Sequence, residues 1–259
     1  MGEVPATRHF VLVHGICHGA WCWYKIASLL KNSGVKVTAV DLGGAGINPG
    51  NADSILSFEE YNKPLIDLIP TIPEDEKIIL VGHSAGGLSL THATHVFGKR
   101  KISVCIYITA AMLRNGFMTD EDVQFIPDIA DVVDFNFGLG PDQPPTSAIF
   151  KPELQRNLLY KCSPEEDFTL ASMLLRPGPL MVLLGAKFEG DNSGKVDKVN
   201  RVYIKTAKDE VLKLENQELL IKKWPPNEVM SIDTDHSPFF SKPNELHKLL
   251  LKASTMYCG

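Results

Sequence analysis

The stretch Lys77–Gly87, KIILVGHSAGG, constrains this chain more than any other. Ile78-Ile79-Leu80-Val81 is an apolar, largely β-branched run that reads as a buried strand. Gly82-His83-Ser84-Ala85-Gly86 breaks it, and a helix-compatible segment follows. G-x-S-x-G between a strand and a helix is a sharp turn in strained backbone geometry. Glycines flank the serine because a side chain two residues to either side would collide with the neighbouring strand or helix. The turn lifts the Ser84 hydroxyl clear of the sheet edge. It also aims the unpaired N–H groups of the next helix at whatever the hydroxyl attacks. The pattern has neither the spacing nor the lysine of a phosphate-binding loop. Ser84 is therefore the candidate nucleophile.

The rest of the chain supplies the sheet that such a turn needs. His9–His14, Val35–Val40, Ile102–Thr109, Val202–Ile204 and Glu228–Ile232 read as further short apolar strands. Helical segments alternate with them: Ala20 to about Lys31, Phe58–Ile69, the stretch after Ser84 to Phe97, and Asn244–Ser254. That alternation predicts the α/β class, with a mostly parallel, doubly wound sheet. At 259 residues one domain is expected, with room for an insertion. The pattern is interrupted at Arg114, where Pro127, Pro141, Pro144-Pro145 and Pro152 separate short helical pieces interspersed with Phe125, Phe135, Phe137, Phe150 and Phe168. This stretch is too apolar to be a linker and reads as a helical lid over a pocket. The expected division is residues 1–113 and 185–259 for the core and 114–184 for the lid. Gly185–Lys198 reads as an exposed loop.

Composition excludes several classes of partner. The net charge of −5 implies no basic face for nucleic acid or an anionic membrane surface. No run of about 18 apolar residues is present, so no spanning helix is expected. The first ten residues carry no basic-then-apolar leader, which makes the cytoplasm the expected location. The five cysteines lack paired spacing and read as reduced thiols rather than disulfides or metal ligands.

A serine hydroxyl needs a base to take its proton, and the base needs an anion to fix its tautomer. On this architecture the chain order is serine, acid, histidine. Asp209 follows the strand Arg201–Lys205, and His236 follows the last strand, so both stand at the carboxyl edge from which Ser84 emerges. His92, His95 and His247 fall within helices. His14, His18 and His83 are in the wrong chain order. Asp209 is preferred over Asp233 and Asp235, which directly precede the histidine and are expected to make only local contacts; Glu210 is the nearest competitor. Oxyanion donors are expected from the backbone N–H groups of Ala85 and, in the loop after the first strand, Ile16.

His9–Lys25 (HFVLVHGICHGAWCWYK), Val37–Leu42, GHSAGG and the closing DHSPFFS together resemble the plant methylesterase family of α/β-hydrolases, over essentially the whole chain. Phe137–Pro141, Pro144–Ala148, Arg201–Thr206 and Lys223–Pro226 look most like the branch holding methyl indole-acetate esterases and esterases of chlorophyll-breakdown products. The resemblance implies the α/β-hydrolase fold. It implies a Ser84–Asp209–His236 triad acting through an acyl-enzyme on methyl esters of small hydrophobic or aromatic acids. It places Gly15 and His18 in the substrate pocket, with neither metal nor organic cofactor. Relatives are often homodimers, though no interface is legible. The related hydroxynitrile lyases carry a threonine where this chain has Gly15 and a lysine where it has Ser237. Lacking that cation, the site has nothing to hold departing cyanide, and an esterase is expected. Cleavage of a β-keto or formyl ester with subsequent decarboxylation uses the same residues. A non-catalytic receptor is the alternative from a different class.

Overall fold

The computed structural model describes residues 8–116, 129–188 and 194–257. β1 (His9–Val13) leads through a 3₁₀ turn into α1 (Tyr24–Asn32) and β2 (Lys36–Val40). α2 (Phe58–Leu68), β3 (Ile78–His83), α3 (Gly86–Phe97) and β4 (Ile102–Ile108) continue the alternation. After β4 come α4 (Ile129–Val132), β5 (Val133–Asn136), β6 (Ser147–Phe150), α5 (Pro152–Leu159), α6 (Glu165–Leu174) and α7 (Leu180–Leu184). The alternation then resumes with β7 (Asn200–Thr206), α8 (Leu214–Lys223), β8 (Glu228–Ile232), α9 (Pro238–Ser241) and α10 (Pro243–Tyr257).

The main sheet is parallel throughout, in the order β2-β1-β3-β4-β7-β8. Its strands are apolar on both sides because helices cover both sides. Phe10, Leu12, Ile79, Val81, Ile106 and Ile204 pack with Ile26 and Leu30 of α1 and with Leu246 and Leu250 of α10. The alternate residues Val11, Val13, Leu80, Cys105, Tyr107 and Tyr203 pack with Leu65 of α2, Leu90 and Ala93 of α3 and Leu220 of α8. α2 starts where it does because Ser57 Oγ accepts the Glu60 N–H at 3.1 Å while Glu60 Oε2 accepts the Leu56 N–H at 3.3 Å. Among the described residues no helix is long and apolar enough to cross a membrane.

Two expectations need correcting. The stretch after Arg114 is not made of helical pieces alone: β5 and β6 form an antiparallel hairpin, with Val133 opposite Phe150 and Asn136 opposite Ser147. Each strand is four residues long, too short for alternation to stand out, and Asp53 fixes the hairpin by accepting from Thr146 Oγ1 (2.6 Å) and Ser147 Oγ (2.7 Å). Phe125 and Pro127 lie outside the described residues. The second correction concerns 185–198, whose described part is not an exposed loop. Ala186, Phe188 and Val196 are buried, and Phe188 stacks on His92 at 5.2 Å between centroids. The Phe188 N–H donates to Asn115 O at 2.8 Å, and Arg114 pairs with Asp197 at 2.7 Å. The chain thus leaves and re-enters the α/β layers at one place. Phe188→Ala is expected to cost about 3–5 kcal/mol, read as a lowered denaturation midpoint with an unchanged slope.

Candidate active site

Ser84 sits between β3 and α3 with φ +53°. A Cβ on Gly82 would lie 2.7 Å from Leu90, and one on Gly86 would lie 2.5 Å from the His14 carbonyl oxygen. These distances are the structural content of the G-x-S-x-G pattern: the strand and helix approach too closely there for any side chain. The turn is held by the Ser84 carbonyl, which accepts from Gly87 N at 3.1 Å and Ala111 N at 2.9 Å. Cys17 (φ +67°) and Thr109 (φ +37°) are the other non-glycine residues in the left-handed region among those described. All three stand at the carboxyl edge of the sheet. For a β-branched residue such as Thr109 this conformation is an outlier, and outliers of this kind collect at functional sites.

At the same edge Asp209 and His236 meet, both buried, with His236 Nδ1 2.7 Å from Asp209 Oδ2. Oδ2 also accepts from Thr109 Oγ1 (2.6 Å) and Thr206 Oγ1 (2.9 Å). Oδ1 accepts from the N–H groups of Val211 (2.8 Å) and Leu212 (2.9 Å). Burial pushes the Asp209 carboxyl up, but the adjacent His236, together with the hydrogen bonds it receives, more than offsets this and holds it below the usual carboxylate range. Glu210 instead pairs with Lys161 at 2.8 Å and also lines the cavity that opens beside Ser84.

His83 links this pair to the serine turn. Its ring lies 4.6 Å from that of His236 between centroids, and its Nε2–H donates to the His236 carbonyl at 2.7 Å. Burial, and after it the neighbouring His236 and His18, push the His83 pKa well down. His14 and His18 are likewise lowered by burial, His18 to about 3. Each donates Nδ1–H to a backbone carbonyl, of Gly15 and Ile16 respectively, which leaves Nε2 as an acceptor. For His14 the donor is Leu42 N at 3.1 Å; for His18 it is Tyr160 Oη at 2.7 Å. These three rings are neutral framework.

Beside Ser84 lies a cavity of about 230 Å³. Ile16, Ala85 and Leu88 line it from the α/β layers, and Val133, Phe150 and Leu158 line it from the segment between β4 and β7. The N–H groups of Ile16 and Ala85 have no acceptor among the described residues. Gly15 and His18 are not among the residues that line the cavity. A Cβ on Gly15 would come within 2.8 Å of Ser84 Cβ, and His18 is 1% exposed. Sequence patterning misses this because it gives loops no facing rule. The wall residues of 129–184 were missed for the same reason. Asp235 was misjudged: besides local contacts, its Oδ2 accepts from Cys162 N at 2.6 Å and Ser163 Oγ at 3.2 Å. Ser237, where the lyases have their cation, is buried and uncharged.

The alpha/beta hydrolase family profile matches residues 10–249. Methylesterase 17 of Arabidopsis thaliana is 50% identical over 95% of this chain and 91% of its own length. Pheophorbidase of Raphanus sativus is 44% identical over 97% of this chain and 96% of its own. The crystal structure of the Arabidopsis methylesterase MES16 superposes with a TM-score of 0.87 at 42% identity, covering 96% of this chain and all of that one.

Proposed function

The chain belongs to the alpha/beta hydrolase family and is a carboxylic ester hydrolase of the methylesterase group, and on that premise we propose that Ser84, His236 and Asp209 hydrolyse methyl esters of small, hydrophobic or aromatic acids. The observation that carries the reading is the five-fold-bonded Asp209 carboxylate paired with His236 at the edge where the strained Ser84 turn faces an apolar cavity. Ser84 attacks the ester carbonyl while His236 takes the hydroxyl proton, and Asp209 holds the imidazole in the Nδ1–H form. The tetrahedral oxyanion rests on the Ile16 and Ala85 amides. Methanol leaves with the proton from His236, and water then repeats the cycle to free the acid. No metal or organic cofactor has a step in this sequence.

The acyl group occupies the cavity, with residues 114–184 acting as its lid. At about 230 Å³ the cavity falls below the ~300–1,000 Å³ of most small-molecule sites. Its mainly apolar wall favours a compact, uncharged acyl group, and a methyl indole-acetate-like ester is the preferred substrate. The test is acid release from methyl indole-acetate, methyl jasmonate, methyl salicylate and a β-keto methyl ester. The expected ranking puts methyl indole-acetate first. Equal turnover of a bulky polycyclic methyl ester would overturn the assigned substrate class, and ligand binding without any acid release would favour a receptor.

A further inference from the structure

The turn between α5 and α6 touches the three loops that carry Ile16, Asp209 and His236. Tyr160, fully buried, donates Oη–H to His18 Nε2 at 2.7 Å, which reaches the loop carrying the Ile16 amide. The next residue, Lys161, pairs with Glu210 at 2.8 Å, and Glu210 adjoins Asp209. The following Cys162 N–H donates to Asp235 Oδ2 at 2.6 Å, joined by Ser163 Oγ at 3.2 Å, and Asp235 adjoins His236. The turn is itself closed by Ser163 N–H to Tyr160 O at 3.0 Å and braced by Arg156 on the Ser163 carbonyl at 2.8 Å. Asp235 is 1% exposed, and its other oxygen accepts from Ser241 Oγ (2.8 Å) and Ser237 N (3.2 Å). Four consecutive residues thus bond to three loops that are distant in sequence. Two positions earlier, Leu158 forms part of the cavity wall.

We propose that Tyr160–Ser163 is a positioning element, seated through His18, Glu210 and Asp235, that sets the spacing of oxyanion, acid and base loops and so ties the acyl cavity to the attacking geometry. None of the four touches the reacting atoms; the turn acts through its partners. Displacements of about 1 Å at reacting groups cost on the order of 10²-fold in rate, so loosening the turn lowers kcat far more than it changes KM. The proposal rests on the catalytic reading above.

The experiment measures steady-state ester hydrolysis, together with the rate at which a fluorophosphonate labels Ser84, located by peptide mass spectrometry. The full chain is used as wild type, Tyr160→Phe, Asp235→Asn and the double variant. Tyr160→Phe removes one oxygen from a ring that otherwise keeps its packing. It is expected to lower both kcat and labelling rate roughly tenfold, with KM within about twofold. Asp235→Asn is expected to lower both by roughly 10²-fold, and the double variant no further than Asp235→Asn, because neighbouring groups acting as one unit are not additive. Should Asp235→Asn fail to fold, Tyr160→Phe carries the test alone. Wild-type kcat and labelling in Tyr160→Phe, or a change confined to KM, overturns the positioning role. A wild-type enzyme that turns over ester yet is never labelled at Ser84 overturns the catalytic reading itself, and the proposal with it.

Discussion

Replacing Ser84 with alanine is expected to reduce methyl-ester hydrolysis on the order of 10⁶-fold, the scale seen when a nucleophile of this kind is removed. The loss falls in kcat, because the hydroxyl is the atom that bonds to the acyl carbon. The cavity walls and the Ile16 and Ala85 amides are left as they were. The ester should therefore still bind, and isothermal calorimetry with the variant should detect that binding without turnover. The fold should also survive, since alanine can be held at φ +53° by the same Gly87 and Ala111 hydrogen bonds to the residue 84 carbonyl. A variant within tenfold of wild type would remove Ser84 from the mechanism.

Asp209→Asn is expected to cost about 10⁴-fold in kcat through the tautomer of His236. An asparagine must put its NH₂ on one side or the other. On the Oδ1 side it would face the Val211 and Leu212 N–H groups, two donors that cannot reverse. On the Oδ2 side the Thr109 and Thr206 hydroxyls can rotate to accept. The amide is therefore driven to place NH₂ against His236 Nδ1. The imidazole then carries its proton on Nε2 and can no longer take one from Ser84. ¹⁵N chemical shifts of His236 should report that switch; an unchanged tautomer with full activity would contradict it. Stability carries a second signature. The Asp209 carboxyl is held below its ordinary range in the folded protein, so its contribution is present at neutral pH and lost as pH falls through the folded-state value. Asparagine should remove that share of the acid-side slope, leaving the part due to Glu76 and Asp197.

Much of this was legible in the sequence, for identifiable reasons. Strands covered on both faces, such as β1 and β3, stand out through the unbroken apolar runs Phe10–Val13 and Ile78–Val81. The glycines around Ser84 mark a turn where the backbone elements approach too closely for side chains. The order serine, acid, histidine singled out Asp209 and His236 from among eight histidines and many carboxylates. What escaped has no local pattern. The β5–β6 hairpin offers two residues per face per strand. Phe188 is one aromatic in a polar stretch, and only the tertiary fold supplies its partners Phe58 and His92. Asp235 sits beside His236 in sequence, yet part of its role is to hold a turn on the far side of the cavity, and nothing within a few residues announces that.

The three left-handed residues, Ser84, Cys17 and Thr109, bear on how such a protein can adapt to heat. Held at roughly 1–3 kcal/mol each, they oppose a folded state whose total margin is only about 5–15 kcal/mol. They lie together at the edge of the proposed site, so relaxing any of them would make the protein more durable while disturbing the geometry there. A lineage under thermal selection would therefore have to gain its robustness at the opposite edge of the sheet, in the helices and loops that the substrate never meets.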